Sequence, residues 1–394
     1  MKFLFIQGGS RWKFDSQGNV YTDANFNENI WNRYRKYCDE LTVLLRRETH
    51  IYSPEEAMEK FNIFDVSKSK YETMPDLYRP IDNFFKFSIR KQIKHAIESE
   101  VKKADKIIIR SVSDIYTNLA VYYAKKYNKP YLIEVTTFIY ESLWYHSLKG
   151  KLIARYQENK CKKAVYESKY AVYVTEEALQ KRYPCKGKVL GCSDVDVEEM
   201  DNNALDNRLD KISVPKNKLI IGTAAFLDVE WKGQKYVIYA LQKLKEQGIT
   251  TFEYQLIGAG TGEKLKKLIE KLNLQDQVKI IGALEHEKVF DWLESIDIYV
   301  QPSFQEGLCR ALVEAMSRGC PVLASDVGGN YELLEKEYLF EKGDADEIAN
   351  KLLIFVDPKK RKESTIENFE RSKKYEIRIL NEKRNMFYQD FSEY

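Results

Sequence analysis

Short apolar runs ended by Gly, Pro or Asn alternate along this chain with longer segments whose apolar residues recur every three or four positions. The runs predict strands at Phe3–Gln7, Leu41–Arg46, Lys106–Arg110, Tyr131–Val135 and Ala171–Thr175. The periodic segments predict helices at Ile30–Glu40, Phe84–Lys103, Ile115–Tyr127, Lys151–Glu167 and Glu176–Arg182. Gly8-Gly9 closes the first run as a turn and leads into a polar, aromatic loop through Asn29, while residues 50–83 read as inserted loops. Strands and helices in alternation make a parallel sheet with helices on both faces. The run Asp194–Lys218 has little apolar periodicity and reads as an interdomain linker.

The alternation then starts again. Strands are predicted at Leu219–Ala225, Phe252–Ile257 and Val278–Ile281, and helices at Tyr236–Gln247, Glu263–Leu272 and Glu287–Ile296. Asp344–Phe355 is the last helix of this second unit, and further helix follows over Arg361–Tyr388. The chain is therefore α/β, with two doubly wound Rossmann-like units. At 394 residues it is long enough to give each its own core.

The densest chemistry lies in Asp297–Glu332, DIYVQPSFQEGLCRALVEAMSRGCPVLASDVGGNYE. Ile298–Val300 is a buried strand ended by Gln-Pro-Ser, Glu306-Gly307 opens a helix carrying Leu308, Leu312, Ala315 and Met316, and Pro321–Ala324 starts the next strand. In an open α/β sheet, ligands sit at the carboxyl ends of strands. Two solvated helix glutamates are the bland reading of Glu306 and Glu314. A glycosidase-type pair does not suit them, because eight helical residues rise about 12 Å and paired glycosidase carboxylates stand ~5–9.5 Å apart. Separate jobs along one extended ligand suit them better. Gly307 would let backbone N–H groups approach an anion at the positive end of the helix.

The run EGLCRALVEAMSRGCPVLASDVGGNYE, with PS before it, resembles the E-x7-E region of family 4 (group 1) retaining glycosyltransferases of the bacterial surface-polysaccharide type. The resemblance implies the GT-B fold, two Rossmann-like domains facing a central cleft. It implies that Glu306 contacts the donor sugar near the reaction centre and that Glu314 holds the ribose hydroxyls. Domains follow at residues 1–200 (acceptor side), 201–365 (donor side) and 366–394, a C-terminal helix returning to the first domain.

GTAAFLDVEWKGQKYVIYAL looks like the same family's strand–loop–KG–helix segment, in which the lysine, here Lys232, neutralises the donor diphosphate. A lysine suits as a mobile point charge. The family places an arginine shortly before it, where this chain has Leu227; Arg310, at the start of the helix after Glu306, is the candidate second cation. Gly307 and Leu308 complete the implied donor loop, and the family's N-terminal loop, here Gly8-Gly9, approaches the diphosphate or acceptor. Many members carry a histidine at the end of the strand here called Tyr131–Val135. This chain has Thr136 and Thr137 there and His146 further on, so His146 is the candidate catalytic histidine, against a plain packing role.

Other motifs carry less. Gly258-Ala259-Gly260-Thr261-Gly262 lacks the G-x-G-x-x-G spacing of a dinucleotide fingerprint and reads as a tight turn. Asp194-Val195-Asp196 and Asp344-Ala345-Asp346 match D-x-D by chance, the second at a helix start where Asp caps. The resemblance implies no required metal or cofactor, only a nucleotide diphosphate sugar, UDP-linked, as donor substrate.

Composition narrows the classes. A net charge of +3 gives no case for nucleic acid. Six cysteines without C-x-x-C spacing and four scattered histidines read as reduced cytosolic thiols and no His-based metal cluster. Met1–Trp12 is too short an apolar run for a signal peptide, and no stretch approaches the ~20 apolar residues of a membrane span. A cytoplasmic protein is expected, either freely soluble or peripheral at the inner face of the membrane. Two basic segments, Phe84–Ile97 and Lys149–Lys163, read either as solvated helix faces or as amphipathic surfaces for anionic lipid. The expected activity is transfer of a sugar to a saccharide or lipid-linked acceptor. A sugar-nucleotide epimerase of the same architecture and a non-catalytic nucleotide-sugar-binding subunit are the alternatives.

Overall fold

The structure is a computed structural model that describes the chain except for residues 24, 25, 196, 199 and 201 and the side chains of 202 and 286. Two sheets organise it. The first is built from β1 (Lys2–Asp15), β2 (Val20–Thr22), β3 (Glu40–Tyr52), β4 (Asn62–Ile63), β5 (Lys70–Met74), β6 (Lys106–Arg110), β7 (Tyr131–Val135), β8 (Tyr170–Tyr173) and β9 (Lys188–Gly191). Its parallel ladder runs β5-β3-β1-β6-β7-β8-β9. The second holds β10 (Leu219–Ala224), β11 (Phe252–Ile257), β12 (Val278–Gly282), β13 (Ile298–Gln301), β14 (Val322–Ser325) and β15 (Leu339–Phe340), in the order β12-β11-β10-β13-β14-β15. In each, the first strand sits between its second and fourth parallel neighbours, so chain direction across the sheet reverses beside β1 and beside β10. Those switch points open a crevice at the strands' carboxyl ends.

Burial explains the continuous apolar strands. Phe3–Ile6, Ile107–Ile109 and Ile298–Val300 are almost wholly enclosed, as central parallel strands with helices on both faces must be. The helix Ile377–Glu393 lies on the first sheet rather than the second. Its Phe391 ring is 5.8 Å from Phe3 and its Tyr388 ring 5.9 Å from Tyr34. The preceding helix, Pro358–Ser372, still belongs to the second sheet, where Thr365 Oγ1 donates to Gly319 O at 2.7 Å.

Several expectations are corrected. Gly8-Gly9 does not end the first strand. β1 continues to Asp15, and its pairing with β3 jumps from Ile6↔Leu44 to Arg11↔Arg46, so the glycines lie in a bulge. A Cβ on Gly8 would stand 1.9 Å from Asp114 Oδ2, which is why that position is bare. The first part of the expected loop through Asn29 is instead a hairpin, Lys13↔Tyr21 and Phe14↔Val20, whose turn is held by the Asp15 carboxylate accepting from Gln17 and Asn19 N–H, both at 2.9 Å, and Asn29 itself lies in the helix Glu28–Arg35. Trp12 and Phe14 share one face of this arm, both against the Tyr71 ring, a period-two signal in a short segment. The helix expected from Phe84 begins at Phe87, after a 3-10 turn at Ile81–Phe85. The linker contains the helix Asn202–Ser213. That helix is anchored by a buried arginine: Arg208 donates to Leu293 O at 2.7 Å, Ile296 O at 2.5 Å and Arg318 O at 3.1 Å. Leu205, Leu209 and Ile212 recur at helical spacing on the same face, a short stripe interrupted by the buried arginine.

Candidate active site

The site grows from the loop after β13. Tyr299 OH donates to Gln301 Oε1 at 2.7 Å, and Gln301 Nε2 donates to Ser303 Oγ at 2.8 Å and to Glu306 Oε1 at 3.3 Å. Tyr299, Gln301 and Ser303 are all buried, so this relay fixes the Glu306 carboxylate from below. A correction applies to the helix: it starts at Arg310 with Cys309 at its N-cap, leaving Glu306 and Gly307 in the loop. Glu314 stands one turn inside it. Gly328, at φ +58°, comes so close that a Cβ would be 2.0 Å from Glu306 O, and Gly329 N–H donates to Gly307 O at 2.8 Å. The two βα loops are thereby locked together.

Lys232 arrives from the other side. It ends a 3-10 turn, Glu230–Lys232, and Gly233 then turns at φ +74° with its Cα pressed against Pro302 O. Phe304 N–H donates to Trp231 O at 2.7 Å, stitching this turn to the β13 loop. Lys232 Nζ lies 2.6 Å from Glu306 Oε1, with only 21% and 12% of the two side chains exposed. Burial acts to lower the lysine's pKa, and the Glu306 carboxylate overrides it, so the net direction is upward from the ordinary value.

Lys232, Glu306, Leu308, Arg310 and Glu314 line one cleft cavity of about 880 Å³. Residues at the ends of β10 and β11, from Ala224 to Phe226 and from Ile257 to Ala259, line it as well. A smaller cavity of about 430 Å³ is lined by Phe138, Arg182, Phe304, Tyr331 and Lys342. Glu306 lines both, standing at their junction.

The remaining candidates are placed elsewhere. A Cβ on Gly307 would be 2.2 Å from Thr136 O, so this glycine lets the two units touch. His146 is exposed at the end of the helix Ile139–His146, its ring 5.8 Å from that of Trp231, and lies on neither cavity wall. Gly8 and Gly9 line neither cavity among the described residues. Thr137 Oγ1 reaches Gln305 Oε1 at 3.4 Å across the units. Leu227 is core. Asp194 is ion-paired with Arg110 and, at 3.4 Å, with Arg33; Asp196 lies outside the described residues, as does the side chain of His286. Asp344 caps its helix, accepting from Glu347 N–H at 2.9 Å. Among the described residues no three His, Cys, Asp or Glu side chains converge on a metal position.

Sequence reasoning missed the opposite wall. Arg33 and Lys36, from and just beyond the helix Glu28–Arg35, and Asn381 and Asn385 of the C-terminal helix line the same cleft cavity as Lys232. No local signal marks them, because only the packing of the two units brings them across. Gln301 had one available signal, a polar residue closing an otherwise apolar strand.

Two Rossmann-type units around a cleft, with a lysine and two glutamates on one wall, define a GT-B glycosyltransferase. The chain belongs to the glycosyl transferases of group 1, whose family model matches residues 206–372. Protein CapJ of Staphylococcus aureus is 31% identical over 372 residues, which is 93% of this chain and 90% of that one. The putative colanic acid biosynthesis glycosyltransferase WcaL of Escherichia coli is 34% identical over 154 residues, covering 36% of this chain and 37% of its own. Among solved structures, sucrose-phosphate synthase from Thermosynechococcus elongatus matches with TM-score 0.66 at 17% identity, over 99% of this chain and 98% of that chain. Anabaena HepE in complex with UDP matches with TM-score 0.64 at 17% identity, over 99% and 100%. At such identities these two are likenesses of fold.

Proposed function

We propose that this glycosyltransferase moves a sugar, with retention at its anomeric carbon, from a UDP-linked nucleotide sugar to a hydroxyl of a saccharide or lipid-linked acceptor, in assembly of a bacterial surface polysaccharide. The observation that carries the reading is the Lys232–Glu306 pair at the junction of two cavities, with Glu314 in the larger. In this reading the donor fills the larger cavity. Its ribose hydroxyls meet Glu314, and its diphosphate takes Lys232 from Glu306. The freed carboxylate then orients the sugar, and the acceptor oxygen enters from the smaller cavity on the face the diphosphate leaves. Lys232, with Arg310 beside it, opposes charge that grows on the departing diphosphate, where preorganised cations lower a barrier most. No resident metal or cofactor is needed in this scheme.

The UDP of HepE and the polysaccharide named for WcaL support the donor and the pathway. Six cysteines without disulfides support a reducing, cytoplasmic setting. Transferase names among the relatives support transfer over epimerisation or binding alone.

The test is to incubate the protein with a panel of nucleotide sugars and acceptors and to measure which nucleoside diphosphate is released and which anomer forms. UDP release that depends on acceptor, with the donor's anomeric configuration kept, is expected. Release of no nucleotide, or an inverted product, overturns the proposal.

A further inference from the structure

We propose that two helix starts on the first unit form a docking surface for an anionic phospholipid bilayer, beside the mouth of the cleft. Large apolar side chains stand out there. Phe85 is 82% exposed, Phe87 78%, Leu148 79%, Leu152 86% and Ile81 64%. Apolar groups this exposed and this clustered mark an interaction surface rather than ordinary scatter.

The fold puts the two groups on one face. The helix Phe87–Lys103 leads from β5 to β6, and the helix Leu148–Glu167 leads from β7 to β8. A helix joining parallel strands must run back against them, so both helices begin at the strands' carboxyl ends, the edge that faces the cleft. The helix Ile115–Lys126 lies between them. It packs on the first and is bonded to the second through Asn118 Nδ2 and Gln157 Oε1 at 2.8 Å. Just before Leu148, Tyr145 and His146 touch Phe304 and Trp231 of the second unit, with ring centroids 5.6 and 5.8 Å apart. The surface therefore adjoins the opening of the site.

Charge selects the occupant. Phe84–Ile97 carries Lys86, Arg90, Lys91 and Lys94 and no acid, and Ser147–Gln157 carries Lys149, Lys151 and Arg155 and no acid. Among the described residues, Lys91, Lys94, Lys149 and Arg155 form no ion pair. Protein interfaces are depleted in lysine at their cores. Here lysines interleave with the protruding Phe and Leu side chains. That arrangement suits a bilayer, in which the apolar groups enter the acyl boundary while lysine stems snorkel to anionic headgroups. Each basic residue near such a surface strengthens binding roughly fivefold.

Docking stands on this surface alone; its use for a lipid-linked acceptor rests on the transfer reading. The full chain is sedimented with vesicles of phosphatidylcholine and with vesicles in which phosphatidylglycerol is mixed. Binding to the mixed vesicles only, weakened at high salt, is expected. Phe85→Ser with Phe87→Ser, Leu148→Ser with Leu152→Ser, and Lys91→Gln with Lys94→Gln should each weaken it by about tenfold or more. Circular dichroism should show these surface variants folded, and nucleotide release with a water-soluble acceptor should be unchanged. No binding to mixed vesicles, binding indifferent to all three pairs, or self-association abolished by the same variants without vesicle binding overturns the proposal. Loss of nucleotide release in the unsubstituted protein would instead defeat the transfer reading and leave docking standing.

Discussion

The Nζ of Lys232 and the Oε1 of Glu306 lie 2.6 Å apart, although 74 positions of chain separate them. Each group thereby holds the other in the cleft before any ligand arrives. Breaking such a pair leaves the survivor poorly solvated, so both partners are sensitive positions. Lys232→Ala and Glu306→Ala should each lower transfer by about tenfold or more, as removal of a charge-stabilising donor does elsewhere. The measurement is kcat/KM with the donor found in the nucleotide-sugar screen. Near-normal rates in both variants would remove the pair from the mechanism.

The same pair has a pH consequence. Lys232 is raised above its ordinary value, so its stabilising charge is complete below the unfolded lysine value of about 10.4 and is lost only as pH rises through the higher folded one. Glu306→Gln removes the main raising influence and leaves burial, with Arg310 nearby, to lower it. The alkaline limb of nucleoside diphosphate binding should therefore move down in Glu306→Gln. Calorimetric titration with UDP across pH checks it; an unmoved or raised limb contradicts the electrostatic account.

Which parts of this were readable in the chain follows from how local each signal is. The β13 region was legible because a buried parallel strand is an unbroken apolar run and the two glutamates share one loop and helix. The existence of two α/β units was legible for the same reason, many times over. Gly8-Gly9 misled because a bulge and a turn both favour glycine, and only the slip from Ile6↔Leu44 to Arg11↔Arg46 distinguishes them. The helix Asn202–Ser213 was hidden because its stripe, Leu205, Leu209 and Ile212, is short and set among Asn, Asp and the buried Arg208, which donates to three carbonyls. Arg33 and Lys36 could not be found at all, since their relevance exists only once the second unit faces them.

Those two cations suggest how the cleft manages without an arginine at Leu227. Arg33 and Lys36 share the cavity with Lys232 and Arg310, from the opposite wall. Arg33→Gln and Lys36→Gln should raise the KM for the nucleotide sugar several-fold while kcat falls less, because charges across the cleft act on binding more than on the departing group. A kcat effect with unchanged KM would contradict this assignment.

Asp194 joins that wall to the first sheet. Burial acts to raise its carboxyl pKa, but Arg110 and Arg33 override it, and the group is held far below the usual carboxylate range. Its contribution is therefore present above the unfolded value of about 3.9 and is lost only as pH falls through the much lower folded value. Asp194→Ala leaves Arg33 without its ion-pair partner and Arg110 with Glu134 alone, and should cost about 3 kcal/mol in unfolding free energy at neutral pH. Urea denaturation of wild type and variant, compared at neutral pH and near pH 3, checks both the size and the sign.

A carboxylate of the second unit binds the first. Glu332 accepts from the backbone N–H groups of Glu176, Glu177 and Ala178 of the first unit, at 2.7, 3.1 and 2.6 Å. These three donors open the helix Ala178–Arg182, so the negative charge meets the positive end of that helix as well as its unpaired amides. Gly307 pressed on Thr136 O is another contact between the units, and there a side chain would act as a wedge. Glu332→Ala should loosen the pair of units, and Gly307→Ala should force them apart without straining the loop, since Gly307 is not at positive φ. Both variants should show a larger radius of gyration in solution scattering and a raised donor KM, with Gly307→Ala also losing kcat because Glu306 is its neighbour. An unchanged radius in both would mean that closure is set elsewhere, and a lowered kcat would then report only local damage to the loop.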